Sequence, residues 1–155
     1  PPRSTLFPYT TLFRSVEDDY LNECKELIKT NKIVFPIDVV TENGIKEVGS
    51  INKDESIFDI GPETIKLFEK MLKNKPLILM NGTMGKYEEK KYENGTKELF
   101  EFLKKDERKV VVCGGDAGAA SKKYNFTPYY LSTGGGASLE YLEGKILPAL
   151  EIMEA

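Results

Sequence analysis

Three apolar stretches in the second half of the chain each run straight into a cluster of glycines, and that repetition limits what the chain can fold into. LILM (residues 77–80) leads into NGTMG (81–85), VVVC (110–113) into GGDAG (114–118), and YYLS (129–132) into STGGG (132–136). A short apolar run bounded by turn residues fits a strand buried on both faces. Such strands alternating with helical segments imply an α/β fold on a parallel sheet covered on both sides. Ligands in such sheets bind at the carboxyl ends of the strands, and all three glycine clusters fall at that edge.

The flanking segments complete one domain, for which 155 residues are enough. Val16, Tyr20, Leu21, Cys24, Leu27 and Ile28 recur at helical spacing. IVFPIDVV (33–40) reads as a strand, Asn43-Gly44 as a turn, and IKEVGSI (45–51) as the hairpin partner. Pro62 suits the first turn of a helix whose Ile65, Phe68 and Leu72 share a face. Thr96 can cap the next helix, with Leu99, Phe102 and Leu103 facing inward. A further helix occupies about 115–124, and a last one runs from the third glycine cluster to near Gly144.

Composition excludes several classes of function. A net charge of −3 provides no basic surface for nucleic acid, and no apolar run approaches the roughly 20 residues that span a bilayer. There is no histidine, so histidine-based triads and histidine metal sites are excluded. Cys24 reads as part of a helix face and Cys113 as a strand end, which makes a disulfide unexpected and a reducing, cytoplasmic setting the default. Residues 1–15, PPRSTLFPYTTLFRS, contain no acid, two Arg, three Pro and a repeated Thr-Leu-Phe, whereas the remainder is rich in Glu, Lys, Asn and Ile. We read them as a disordered, adapter-derived segment joined at Ser15–Val16, with an organelle transit peptide as the alternative. The domain then runs from 16 to 155.

Glycine lets a backbone approach a ligand closely and adopt positive φ. A helix beginning at such a turn points free N–H groups and its positive end at the same place. The second and third clusters open helices, so each offers a nest for phosphate oxygens. Asp116 sits inside the second cluster. It reads either as a ligand to Mg²⁺ shared with phosphates or as a cap on its own helix. A dinucleotide fingerprint fits poorly: Cys113 stands where its first glycine would be, and no acid follows about 20 residues on.

The longer patterns are more specific. STGGGASLEYLEGKILPAL (132–150) closely resembles the C-terminal signature of phosphoglycerate kinases. DIGPETIKLF (59–68), NGTMGKYEEKKYENGTK (81–97) and VVVCGGDAGAA (110–120) resemble further motifs of that family in the correct order. The resemblance covers about residues 16–155 and implies a partial nucleotide-binding domain, an incomplete Rossmann-like parallel sheet flanked by helices with one β-hairpin.

It also implies an activity, phosphoryl transfer between ATP and 3-phosphoglycerate with Mg²⁺, in a full-length enzyme that is a cytoplasmic monomer. Asn81 and Glu88 match the nucleotide pocket, Glu88 accepting from the ribose hydroxyls; on composition alone Glu88 is one member of a solvated Glu/Lys run. Gly114, Gly115 and Ala117 match the loop at the nucleotide phosphates, and Asp116 the Mg²⁺ ligand. Gly134, Gly135 and Gly136 match the backbone donors facing the transferred phosphoryl group. Such chemistry needs positioning and charge stabilisation rather than a protein base.

There are departures. Cys113 replaces the first of three glycines, Ala117 a threonine, Met80 a tryptophan, Thr83 a proline and Lys86 an apolar residue. Ile57-Phe58 replaces Gly-Leu and would crowd the adenine. The family's phosphoglycerate-binding domain and the first strands of its nucleotide domain have no counterpart in the sequence. The resemblance therefore implies an inactive fragment with an exposed sheet edge and marginal stability; the alternatives are a short non-catalytic nucleotide-binding protein and a structural or interaction domain that kept the fold and lost the ligand.

Overall fold

The structure is a computed structural model that describes residues 21–30, 32–52, 54–105 and 108–154. The expectations for residues 1–15, for the helical stretch 16–20 and for the Cys24 side chain lie outside the described residues.

The described residues form two three-stranded sheets. β4 (Leu77–Asn81), β5 (Lys109–Cys113) and β6 (Tyr130–Ser132) make a parallel sheet in that order. β1 (Asp38–Thr41), β2 (Gly44–Glu47) and β3 (Ile57–Ile60) make an antiparallel one in the order β2-β1-β3. The helices are α1 (Leu21–Lys29), α2 (Pro62–Leu72), α3 (Asn94–Leu103), α4 (Gly115–Lys123), α5 (Gly135–Leu142) and α6 (Pro148–Glu154). No helix among the described residues is long and apolar enough to cross a membrane.

The α/β class and the parallel sheet with its hairpin agree with the sequence reading; several details differ. The strand expected over 33–40 begins only at Asp38, because Pro36 lacks the N–H a ladder needs. Ile33, Val34, Phe35 and Ile37 ahead of it are exposed. The strand pairs antiparallel with its hairpin partner, as expected, and on its other edge with β3. The hairpin loop is Glu42-Asn43, one residue earlier than expected, since Thr41 pairs with Gly44. The Thr41 hydroxyl fixes this turn, accepting from the Asn43 N–H at 3.1 Å and donating to the Gly44 carbonyl at 3.1 Å. β3 and α6 were not anticipated.

α2 starts at Pro62 as expected, but its cap comes from another strand. The buried Asp38 carboxylate accepts from the N–H of Glu63 at 3.1 Å, the N–H of Thr64 at 2.7 Å and the Thr64 hydroxyl at 2.7 Å. Burial pushes the Asp38 carboxyl up, and these donors more than offset it, holding the group below its ordinary value. Thr96 does not cap α3, which begins two residues earlier; its buried hydroxyl accepts from the Met84 N–H at 3.0 Å. α5 ends where expected, with Gly144 at φ +81° and reverse bonds from Gly144 N–H to the Tyr141 carbonyl and from Lys145 N–H to the Glu140 carbonyl.

One core lies between the parallel sheet and helices α3 and α4. Ile78 and Met80 of β4, Val110 and Val112 of β5, Leu99, Phe100 and Leu103 of α3, and Ala117 and Ala120 of α4 are buried together with Tyr124 and Phe126. Phe100, not Phe102, is the fully buried ring of α3; Phe102 is half-buried beneath the Arg108 guanidinium. The expectation that both faces of the sheet are covered fails at β4. Leu77 is 60% and Leu79 41% exposed, and an apolar groove of about 590 Å³ lined by Val34, Phe68, Met71 and Leu79 opens beside them.

Candidate functional site

The parallel register brings the three glycine clusters to one line. Asn81, Cys113 and Ser132 are consecutive partners across β4, β5 and β6, so each strand ends at the same level and its loop begins there. Gly114 then turns with φ +94°, a conformation that disfavours any side chain, and its N–H reaches back to the Ser132 carbonyl at 2.8 Å. The contacts between loops are tight. A Cβ on Gly135 would lie 2.7 Å from Asn81 Oδ1 and 3.1 Å from the Gly114 Cα. One residue from each cluster thus meets the other two.

Two helices start at this junction without a side-chain cap. The first backbone bond in α4 runs from Gly118 N–H to the Gly114 carbonyl, and in α5 from Ser138 N–H to the Gly134 carbonyl. The N–H groups of Gly115, Asp116 and Ala117, and of Gly135, Gly136 and Ala137, precede those bonds and have no carbonyl partner within their helices. Cβ atoms added at Gly115 and Gly136 would meet nothing within 4 Å, so packing within the chain does not require glycine there. Ser138 braces the third loop: its hydroxyl donates to the Gly134 carbonyl at 2.8 Å and lies 2.8 Å from the Ser132 hydroxyl.

Asp116 is exposed in the first turn of α4 and does not cap it. Among the described residues no three acidic or cysteine side chains cluster as a metal cage. Mg²⁺ is commonly held by one or two carboxylates together with substrate phosphates, and Asp116 offers one exposed carboxylate at the start of α4. The three clusters contain no Lys or Arg.

The sequence reading missed the residues that hold the first cluster. The Thr83 hydroxyl donates to the Gly85 carbonyl at 3.1 Å, and Lys86 N–H reaches the Phe58 carbonyl at 2.8 Å. Beneath them lies Asp59, 1% exposed. Its carboxylate accepts from the N–H of Gly95, at the start of α3, at 2.7 Å and from the N–H of the adjacent Ile60 at 2.9 Å. Gly85 and Gly95 crowd it so closely that a Cβ on either would fall 2.3 Å from Asp59 Oδ1. A charged residue inside the apolar run IFDI, two residues before a glycine, was the available signal.

Burial pushes the Asp59 carboxyl up to about 6, against the two backbone donors that lower it. The folded state therefore holds this proton more tightly than the unfolded chain. The contribution favours folding most below about pH 4 and is lost as pH rises through about 6, a swing of about 2–3 kcal/mol. Asp59→Asn should remove it. Urea unfolding of both proteins from pH 4 to 7 checks this: the wild type should lose stability relative to Asp59→Asn as pH rises, and a constant difference would contradict the assignment.

Glu88 is exposed. The contacts that join Asn81, Gly114 and Gly135 do not include it. Its neighbour Tyr87 is instead tied to the last turn of α4 through Lys123. The Phe58 ring is stacked on Tyr92, with centroids 4.5 Å apart and planes 17° from parallel. Cys113 is buried with a free thiol.

The sequence matches the phosphoglycerate kinase family profile over residues 10–145. It is 39% identical over 153 residues to the phosphoglycerate kinase of Desulfovibrio desulfuricans, covering 89% of this chain and 39% of that relative. It is also 39% identical over 149 residues to that of Vibrio campbellii, covering 90% and 39%. The fold is similar to a phosphoglycerate kinase structure from Coxiella burnetii, with a TM-score of 0.77 and 32% identity over 88% of this chain and 39% of that one. The enzyme from Pyrococcus horikoshii gives a TM-score of 0.76 and 29% identity over 88% and 36%. The chain thus spans about two fifths of the length of these relatives. On the profile match and the shared fold, it belongs to the phosphoglycerate kinase family.

Proposed function

We propose that this chain is the part of a phosphoglycerate kinase that holds the Mg²⁺–nucleotide and the phosphoryl group in transit. The reaction is ATP + 3-phospho-D-glycerate to ADP + 1,3-bisphosphoglycerate, in a cytoplasmic, monomeric full-length enzyme. The observation that carries the reading is the meeting of Asn81, Gly114 and Gly135 between two uncapped helix starts. Gly114, whose own N–H is held by the Ser132 carbonyl, would bring the loop close to the nucleotide phosphates, the amides of Gly115 and Ala117 would bind them, and Asn81 and Glu88 would orient the nucleoside. Those of Gly134, Gly135 and Gly136 would face the phosphoryl group as it moves, where fixed donors stabilise developing charge without reorganising. Asp116 would hold Mg²⁺, which neutralises phosphate charge when bound.

The three loops supply amides and one carboxylate and contain no cationic side chain. Phosphoryl transfer relies on cations to balance the charge of the transition state, so this chain should bind nucleotide and not turn over. A coupled assay with 3-phosphoglycerate and ATP should give background rates. Activity above background that disappears in Asp116→Ala would overturn the inactivity.

A further inference from the structure

The segment that carries Glu88 is fastened to the far end of α4 chiefly by Lys123, with the Tyr124 hydroxyl 3.5 Å from the same Tyr87 carbonyl. Lys123, the ninth and last residue of α4, donates from Nζ to the Tyr87 carbonyl at 2.5 Å and to Glu93 Oε2 at 2.9 Å. Its ammonium lies 5.6 Å from the centroid of the Tyr87 ring and 5.2 Å from that of Tyr124. The Tyr124 hydroxyl donates to the same Glu93 oxygen at 3.0 Å. Glu93 immediately precedes α3, and its side chain is 16% exposed, so the ion pair is partly shielded from water and its hydrogen bonds are charge-assisted. α4 therefore carries the glycine loop at its first residue and this clamp at its last, about 12 Å away.

We propose that Lys123 is a positioning residue for nucleotide binding. Through the Tyr87 carbonyl and Glu93 it fixes Glu88 at a set distance from the glycine start of α4. The nucleoside end and the phosphate end of one ligand then meet a single rigid unit rather than two independent segments. Such preorganisation lowers the ordering cost of binding. The inference rests on the nucleotide reading above, and Lys123 itself touches no reacting atom in it.

The test uses the 155-residue chain with Lys123→Met and Lys123→Arg, read by amide hydrogen exchange and by titration with ADP and with inorganic pyrophosphate. Lys123→Met should speed exchange in the segment from Lys86 to Glu89 and leave the α4 amides from Gly118 to Ala120 unchanged. It should weaken ADP about tenfold, the worth of one charge-assisted hydrogen bond, and leave pyrophosphate within about twofold. Lys123→Arg, which keeps the charge and the donors, should restore most of the ADP affinity. Unchanged exchange at 86–89 would overturn the clamp. Equal losses for ADP and pyrophosphate would overturn the positioning role, since a general loosening of the site weakens both. If the wild type binds no ADP while exchange still responds to Lys123→Met, the clamp stands, and the nucleotide reading fails together with the positioning role built on it.

Discussion

Phe100→Ala is expected to remove most of the stability of this chain. The ring has no exposed surface and packs against Phe126, with centroids 5.0 Å apart, and against Tyr124 at 6.2 Å. Truncating a fully buried Phe costs about 3–5 kcal/mol, through lost transfer energy and the cavity left behind. Domains are stable by only about 5–15 kcal/mol. This one starts from a weaker position, because Leu77, Leu79, Tyr129 and Tyr130 on the parallel sheet and its flanks remain exposed. Surface left in contact with water contributes none of the roughly 25 cal/mol per Å² that burial supplies. Urea unfolding followed by circular dichroism should show a lower midpoint and a large unfolded population in Phe100→Ala before denaturant is added. A midpoint within error of the wild type would mean that the core is not where the structure has it.

The second large effect concerns Gly135. A valine there needs a Cβ 2.7 Å from Asn81 Oδ1 and 3.1 Å from the Gly114 Cα, and the latter is backbone that cannot rotate away. The third loop must move off the second, separating the two rows of amide donors. If two such donors stop reaching phosphate, at about 1.5 kcal/mol each, ADP affinity falls about a hundredfold. The change lies at the sheet edge, away from Phe100 and the residues packed on it, so the far-ultraviolet spectrum should persist. Gly136→Ala provides the contrast. Its Cβ meets open space in the chain, so the fold should be untouched, and any loss of affinity would come from the space a ligand needs. Measuring both variants by calorimetric titration with Mg-ADP separates damage to the loop from competition with the ligand.

The sequence made the frame visible because the frame rests on local rules. Apolar runs at 77–80 and 110–113, Pro62 at a helix start and Gly144 at a helix end each act within a few residues of themselves. What stayed hidden depends on distant neighbours. Asp38 caps a helix that begins 24 positions later in the chain, and Thr64 answers it with its own hydroxyl. Asp59 interrupts the apolar run IFDI and is the buried acceptor around which Gly85 and Gly95 close. Phe102 and Phe100 are two positions apart on one helix, and helical spacing alone did not decide which faces the sheet. β3 was missed because its apolar run contains that charge, and its pairing with β1 is non-local. The site divides the same way. The three glycine clusters, Asp116 and their common edge were legible in the sequence. The supporting bonds from Thr83, Thr96 and Ser138, and the clamp on Tyr87, were not legible, because each depends on folded geometry rather than on a local sequence rule.

The central claim is that the carboxyl edge of β4, β5 and β6 holds a metal-bound nucleotide. Titration of ¹⁵N-labelled protein with ADP, with and without Mg²⁺, tests it most directly. The account predicts shifts at the amides of Gly114, Gly115, Asp116 and Ala117, strengthened by Mg²⁺ in the wild type and insensitive to Mg²⁺ in Asp116→Ala. No shift at these amides, or the same Mg²⁺ dependence in Asp116→Ala, would contradict it.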